Sequence, residues 1–268
     1  MSFSSLWIGL ATLLGLYMLY NAFFLLFHEK ILFQGDQLVD DHEFTFDFQY
    51  EEVNLNPSRD VRLNGLLLKS DTTKGLILYF HGNSGNLERW GHMANDIRQK
   101  HGYDVLVIDY RTYGKSRGER NEVALYEDAT FVYDYAYHQL EYENIIVHGR
   151  SLGTAIGTYL AANRAVSHLI LETPMTRLRE VIPVLDFLLV YKPWLEYEFN
   201  SLARINEISC PITILHGTED AVVPFELGRQ LYAEIEQSNK KFITIDNGKH
   251  NNLDTFEIYQ QTMEQILN

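Results

Sequence analysis

The stretch Ile145-Ile146-Val147-His148-Gly149-Arg150-Ser151-Leu152-Gly153-Thr154-Ala155-Ile156-Gly157 passes from a short apolar run, through a serine flanked by glycines, into a segment rich in Ala and Gly. An apolar run of this length reads as a buried strand, and the segment after Ser151 has helix length and composition. The pattern G-x-S-x-G at that junction predicts a sharp strand-to-helix turn. Such a turn strains the serine and leaves no room for Cβ atoms beside it, so the positions two before and two after it must be glycine. Ser151 is then expected to project above the carboxyl edge of a sheet, as a candidate nucleophile. The plainer alternative is a serine that caps the helix.

Outward from this junction the same alternation repeats. Strand candidates are Val61 to Leu68, Leu76 to Phe80, Val105 to Tyr110, Ile145 to His148, Leu169 to Glu172, Ile212 to His216 and Phe242 to Ile245. Most are continuous apolar runs, the pattern of strands buried on both faces of a parallel sheet. Between them lie helix-length stretches at Leu87 to Lys100, Glu122 to Leu140, Leu152 to Arg164, Phe225 to Gln237 and Leu253 to Leu267. The fold class is α/β, with a mostly parallel central sheet flanked by helices. One stretch breaks the alternation: residues 174–201 hold the apolar run Val181 to Tyr191 with Pro183, Pro193, Trp194 and Tyr197, and read as a small helical cap inserted after a strand. The expected organisation is an anchor over residues 1–30, a juxtamembrane segment and first strand region over 31–60, and a catalytic domain over 61–268.

A serine hydroxyl is a weak nucleophile near neutral pH and needs a base within hydrogen-bond reach, held in turn by a third group. Asp220, in the loop after Ile212 to His216, is the candidate acid, with Glu219 as the alternative. His250, in Asp-Asn-Gly-Lys-His-Asn-Asn between the last strand and the last helix, is the candidate base, which gives the chain order Ser, Asp, His. His28, His92, His101, His138, His148 and His168 border the apolar N-terminus, strands or helices and read as structural or surface residues. No histidine pair has the spacing of a metal-binding helix, so no catalytic metal is expected. The turn His81-Gly82-Asn83-Ser84-Gly85-Asn86 follows a strand and is suited to aim the Asn83 N–H at a developing oxyanion, with the Leu152 N–H as second donor. The alternative for this turn is a plain strand-to-helix connection with Asn86 as N-cap.

Composition excludes some classes. The formal charge of −14 and the absence of a Lys/Arg cluster argue against a nucleic-acid ligand. With Cys210 the only cysteine, no intrachain disulfide forms, and its place beside the run Ile212 to Leu215 reads as a small buried thiol. From Leu6 to Phe27 the chain runs 22 residues without a charge, enough at about 1.5 Å per residue to cross a hydrocarbon core of about 30 Å. It has no basic start and ends Phe-Leu-Leu-Phe-His-Glu-Lys, so an uncleaved single-pass anchor is expected rather than a signal peptide; a helix packed on the domain or lying along the bilayer surface is the alternative. Lys30 is the only basic residue near either end and leans the larger part of the chain toward the cytoplasm.

Gly149 to Gly153, His-Gly-Asn-Ser-Gly-Asn at residues 81–86, and Asp109-Tyr110-Arg111-Thr112-Tyr113-Gly114-Lys115-Ser116 together resemble the α/β-hydrolase family over roughly Val61 to Leu267. Within it they resemble a branch of single-pass membrane hydrolases that includes relatives of protein depalmitoylases. Thr112 stands where those relatives usually have glycine, and this turn is expected to be structural and to shape the pocket rim. The resemblance implies acyl, ester, thioester or peptide hydrolysis through an acyl-serine, without a dissociable cofactor. Phe187, Leu188, Leu189, Tyr191 and Trp194 in the cap, together with a bilayer anchor, suggest a hydrophobic or lipid-like acyl substrate, although a cap that only covers the sheet has the same composition. A peptidase of the same fold is the alternative, with Glu172, Arg177 and Arg179 as groups able to hold a peptide terminus. A membrane-tethered scaffold that lost turnover is the other.

Overall fold

The computed structural model describes residues 3–181 and 197–268, with side chains from residue 5 onward. A single eight-stranded sheet carries the molecule: β1 (Glu51–Ser58), β2 (Val61–Leu68), β3 (Leu76–Phe80), β4 (Asp104–Ile108), β5 (Ile145–Arg150), β6 (His168–Glu172), β7 (Ile212–Gly217) and β8 (Lys240–Ile245), in the order β1-β2-β4-β3-β5-β6-β7-β8. β2 pairs antiparallel with β1 and with β4, and every other pairing is parallel. The helices are α1 (Phe3–Leu32), α2 (Leu87–His101), α3 (Glu122–His138), α4 (Leu152–Asn163), the single turn α5 (Leu178–Val181), α6 (Phe225–Glu234) and α7 (Glu257–Leu267).

The continuous apolar strands are explained by two cores, one on each face. Leu76, Leu78 and Phe80 of β3 point into a cluster with α3 and α4, while Ile77 and Tyr79 point into one with α2 and α7. β5 divides the same way, Ile145 and Val147 on one side and Ile146 on the other. Burying each such side chain stabilises the fold by roughly 1.5–3 kcal/mol, so both faces must be apolar for the central strands to stay in place.

Element boundaries follow local chemistry. Asn86 and Asn121 cap α2 and α3 by accepting from the Glu88 and Ala124 N–H, and Gly102, at φ 70°, ends α2 by donating to Arg98 O. β1 lies outside the strands read from apolar runs. Its only apolar side chains packed inward are Val53 and Leu55, on a strand whose other face is exposed, a period-two signal too weak to stand out. The expected helix from Leu253 is broken into a 3₁₀ turn, Leu253–Thr255, and α7. The expected cap falls mostly on residues 182–196, which lie outside the described residues; on either side of them are α5 and residues 197–200, which belong to no helix or strand.

The N-terminal helix is long and apolar enough to span a membrane over Ser5–Leu32. Leu6 to Leu19 are exposed, whereas the last turns rest against the domain and Phe33 is buried.

Candidate active site

The parallel strands end on one edge of the sheet, and the turn at the end of β5 places Ser151 there with φ 52° and ψ −116°, a conformation non-glycine residues rarely adopt. The two glycines are required by contact. A Cβ on Gly149 would stand 2.4 Å from Gly153 O, and one on Gly153 would stand 1.9 Å from Phe80 O. The start of α4 is thereby pressed against the end of β3. The Ser151 hydroxyl makes no capping bond to α4, which removes helix capping as the reason for a serine here.

His250 lies 99 residues further along and reaches Ser151 with Nε2 at 3.1 Å from Oγ. Its Nδ1 is 2.8 Å from Asp220 Oδ2. A carboxylate partner favours the proton on Nδ1, which leaves Nε2 to accept from the serine hydroxyl. Glu219 is exposed and takes no part. The second oxygen of Asp220 accepts from the Val222 and Val223 N–H groups, both at 2.9 Å. Burial alone would push the Asp220 carboxyl up. The His216 ring at 3.5 Å, the His250 ring and the Val223 N–H outweigh it and hold the group well below the ordinary carboxylate range. Asp220 is therefore a fixed negative charge beside His250.

The other expected components sit around Ser151. A Cβ on Gly82 would lie 3.8 Å from that of Ser151, so the turn after β3 passes directly over the serine. Leu152 is the first residue of α4, whose unpaired N–H groups and partial positive charge favour an anion. Asn86 is also the N-cap of α2, so the capping alternative holds for that residue.

Sequence reasoning missed Arg150, the variable residue before the serine. It is 2% exposed, and its Nη2 donates to His250 O at 2.9 Å and to Asn251 Oδ1 at 3.3 Å. Its Nη1 lies 3.3 Å from Glu172 Oε1. Arg150 thus ties the serine turn to the loop that carries the histidine. Glu172, considered above as a holder of a peptide terminus, is 1% exposed and enclosed by Arg150, His148 and Tyr259. Burial raises its carboxyl, but Arg150, His148 and the Tyr259 hydroxyl bring it down to about 2. Of the other two candidates, Arg177 bonds Asn200 Oδ1 at 3.2 Å and Arg179 is exposed. A sequence signal for Arg150 exists only in hindsight: a cation between an apolar strand and a buried turn needs a buried anion, and Glu172 ends the neighbouring strand.

Among the described residues no group of three or more His, Cys, Asp or Glu is arranged to hold a metal ion. Cys210 is a free buried thiol, and burial pushes it up to about 11. It lies at the start of β7, away from the edge that carries Ser151.

A strand-turn-helix serine on this sheet order is the hallmark of an α/β hydrolase, and comparisons with known proteins agree. The family described as alpha/beta hydrolase fold matches residues 75–203, and that described as serine aminopeptidase S33 matches 199–255. The alpha/beta hydrolase domain-containing protein WAV2 of Arabidopsis thaliana is 30% identical over 248 residues, covering 81% of this chain and 78% of that protein. The lysophosphatidylserine lipase ABHD12 of Danio rerio is 35% identical over 184 residues, covering 61% of this chain and 48% of that protein. The structure of the Pyrococcus furiosus esterase Pf2001 superposes with a TM-score of 0.70 at 20% identity, over 87% of this chain and 98% of that one. The chain belongs to the α/β-hydrolase family, and it spans about half the length of the lysophosphatidylserine lipases it matches.

Proposed function

We propose that the chain is a membrane-tethered serine hydrolase that cleaves carboxylic ester or thioester bonds of a hydrophobic, lipid-like acyl substrate, with Ser151 as nucleophile, His250 as general base and Asp220 as the acid that orients it. The observation that carries this reading is the unbroken relay from Ser151 Oγ to His250 Nε2 at 3.1 Å and from His250 Nδ1 to Asp220 at 2.8 Å. In this mechanism Ser151 Oγ attacks the acyl carbonyl carbon while its proton passes to His250 Nε2. The carbonyl oxygen becomes an oxyanion held by the Asn83 and Leu152 N–H groups. Collapse of the tetrahedral intermediate breaks the bond to the leaving group, which takes the proton from His250. Water then repeats the sequence on the acyl-serine and restores the enzyme. No cofactor enters any step.

A lipid ester is favoured by the lipase name of the relatives and by an apolar helix that keeps the site beside a bilayer. Those relatives suggest a lysophospholipid, and a protein thioester is the form the depalmitoylase resemblance would take. Lys30, just beyond the apolar run, favours a cytoplasmic catalytic domain under the positive-inside rule; protease protection in sealed vesicles tests that orientation.

A peptidase is the second reading, because the family matching residues 199–255 is described as a serine aminopeptidase. It lacks a free charge for a peptide terminus in Glu172, which is enclosed by its own partners. A panel of p-nitrophenyl esters from acetate to palmitate, acyl thioesters, lysophospholipids and aminoacyl amides, assayed on the full-length chain, separates the two. Turnover rising with acyl length supports the lipid ester reading. Turnover of the amides alone would replace it with the peptidase.

A further inference from the structure

The membrane helix does not join the domain through a linker. Its last helical bond, from Phe33 N–H to Glu29 O at 2.8 Å, is followed at once by a ladder onto the turn beside Ser151. Gln34 N–H donates to Asn83 O at 2.8 Å, Gly85 N–H donates to Gln34 O at 3.0 Å, and Gln34 pairs in parallel with Ser84. The Asn83 side-chain amide donates to Leu32 O, the end of α1, at 3.1 Å. Asn83 O accepts a second bond from the buried Tyr113 hydroxyl at 2.7 Å, and the backbone of Gly35 lies flat on the Tyr113 ring, where a Cβ would meet it at 2.4 Å. Leu38 N–H and Asp36 O then bond to Gly114. The helix end is itself seated: Glu29 accepts from the Tyr197 hydroxyl at 2.9 Å and lies 3.4 Å from Arg120, whose guanidinium stands 3.9 Å over the Phe33 ring.

We infer that residues 32–38, at the exit of the membrane helix, are a positioning element of the active site: with Tyr113 they fix the turn at residues 83–85 whose Asn83 N–H holds the oxyanion. The inference rests on the proposed oxyanion role of Asn83. The physical case is that a turn with glycines at 82 and 85, the latter at φ 76°, has little rigidity of its own. Both bonds to Asn83 O and the bond from its side chain come from outside the turn, from the segment leaving α1 and from Tyr113. With the carbonyl and side chain of Asn83 clamped, only the φ and ψ of that one residue separate the clamp from the donor. A donor misplaced by a fraction of an ångström loses transition-state binding while the ground-state substrate still fits. Seating of the membrane helix and competence of the oxyanion site are then one event.

The test uses the full-length chain in bilayer vesicles with a short-chain p-nitrophenyl ester, and with a trifluoromethyl ketone as transition-state analogue. Gln34→Pro removes the N–H that bonds Asn83 O, Tyr113→Phe removes only the hydroxyl that bonds it, and Asn83→Pro removes the oxyanion donor together with the side-chain bond to Leu32 O. We expect kcat to fall roughly 10- to 100-fold in the first two, with KM within about twofold. Ketone affinity should fall by the same factor as kcat/KM and thermal unfolding should stay unchanged; Asn83→Pro should cost roughly 100- to 1000-fold. If Asn83→Pro is costly and the other two are silent, the oxyanion reading stands and the inference falls. If Asn83→Pro is itself harmless, both fall. A rise in KM alone, with ketone affinity tracking it and kcat intact, would make residues 32–38 a wall of the substrate path and overturn the positioning role. Should Gln34→Pro not fold, Tyr113→Phe carries the test, since it deletes a single atom.

Discussion

At the scale of single residues, two bonded chains of contact meet at the serine turn, one through His250 to Asp220 and one through Arg150 to Glu172. Asp220→Asn keeps the shape of the first but favours the wrong histidine tautomer, and kcat is expected to drop roughly 10⁴-fold with little change in substrate affinity; steady-state kinetics on the full-length chain check it. Arg150→Met cuts the second. It frees the His250 carbonyl and leaves the Glu172 carboxylate buried without its cation, a loss of roughly 3–5 kcal/mol. Chemical denaturation should show that loss, and the double variant Arg150→Met/Glu172→Gln should recover most of it, because no buried charge is then left unpaired. Recovery of stability without recovery of kcat would separate the two jobs of Arg150. Ser151, Asp220 and His250, which the structure brings into one hydrogen-bonded row, could be picked out in the sequence because each sits in a turn or loop after a strand. Arg150 was not, since its role depends on Glu172 and His250 lying close in space, which spacing along the chain does not reveal.

Among the elements, the strand-turn-helix around Ser151 is the least tolerant of change. Gly153→Ala would press a methyl group against Phe80 O at 1.9 Å, so α4 and β3 must separate. The expected result is a destabilisation of roughly 1–3 kcal/mol or more, together with loss of ester turnover; thermal unfolding and activity measured on one preparation check it. The central strands were legible because two cores demand apolar residues at every position of β3 and at the first three of β5. β1 was legible only as an unplaced strand region within residues 31–60, because an edge strand with one wet face needs only Val53 and Leu55. The turn at residues 109–116 was read as structural, and within it Thr112 sits at φ 73°, a conformation that favours glycine. What the sequence did not disclose is that this turn also receives the segment leaving α1, through Gly114 and Tyr113. Pairing between segments some 80 residues apart leaves no local pattern.

Taken as a whole, the described residues form an α/β-hydrolase domain preceded by an apolar helix. A charge in the middle of that helix, such as Leu14→Lys, costs roughly 2.5–3.5 kcal/mol of membrane insertion, and the full-length variant should shift from the floated vesicles toward the bottom fraction in vesicle flotation. The domain should also lose stability stepwise on acidification. His101 and His168 are lowered to about 4 by burial, so between their ordinary value of 6.5 and 4 the unfolded chain binds protons that the fold refuses. Glu172 at about 2, against an ordinary 4.5, and Asp220 still lower extend the same sign to more acidic pH. The unfolding temperature is therefore expected to fall as pH drops below about 6.5 and to fall further below about 4.5. A Glu172→Gln variant should lose less than the wild type over the lower window.

The central claim is that Ser151 is a nucleophile activated by His250. Its most direct measurement is labelling of the full-length chain with a fluorophosphonate, read by peptide mass spectrometry, beside Ser151→Ala and His250→Ala. The account predicts one adduct, on Ser151, absent in the first variant and at least about 1000-fold slower in the second. A folded wild-type chain that takes no label, or takes it at another residue, would contradict the account.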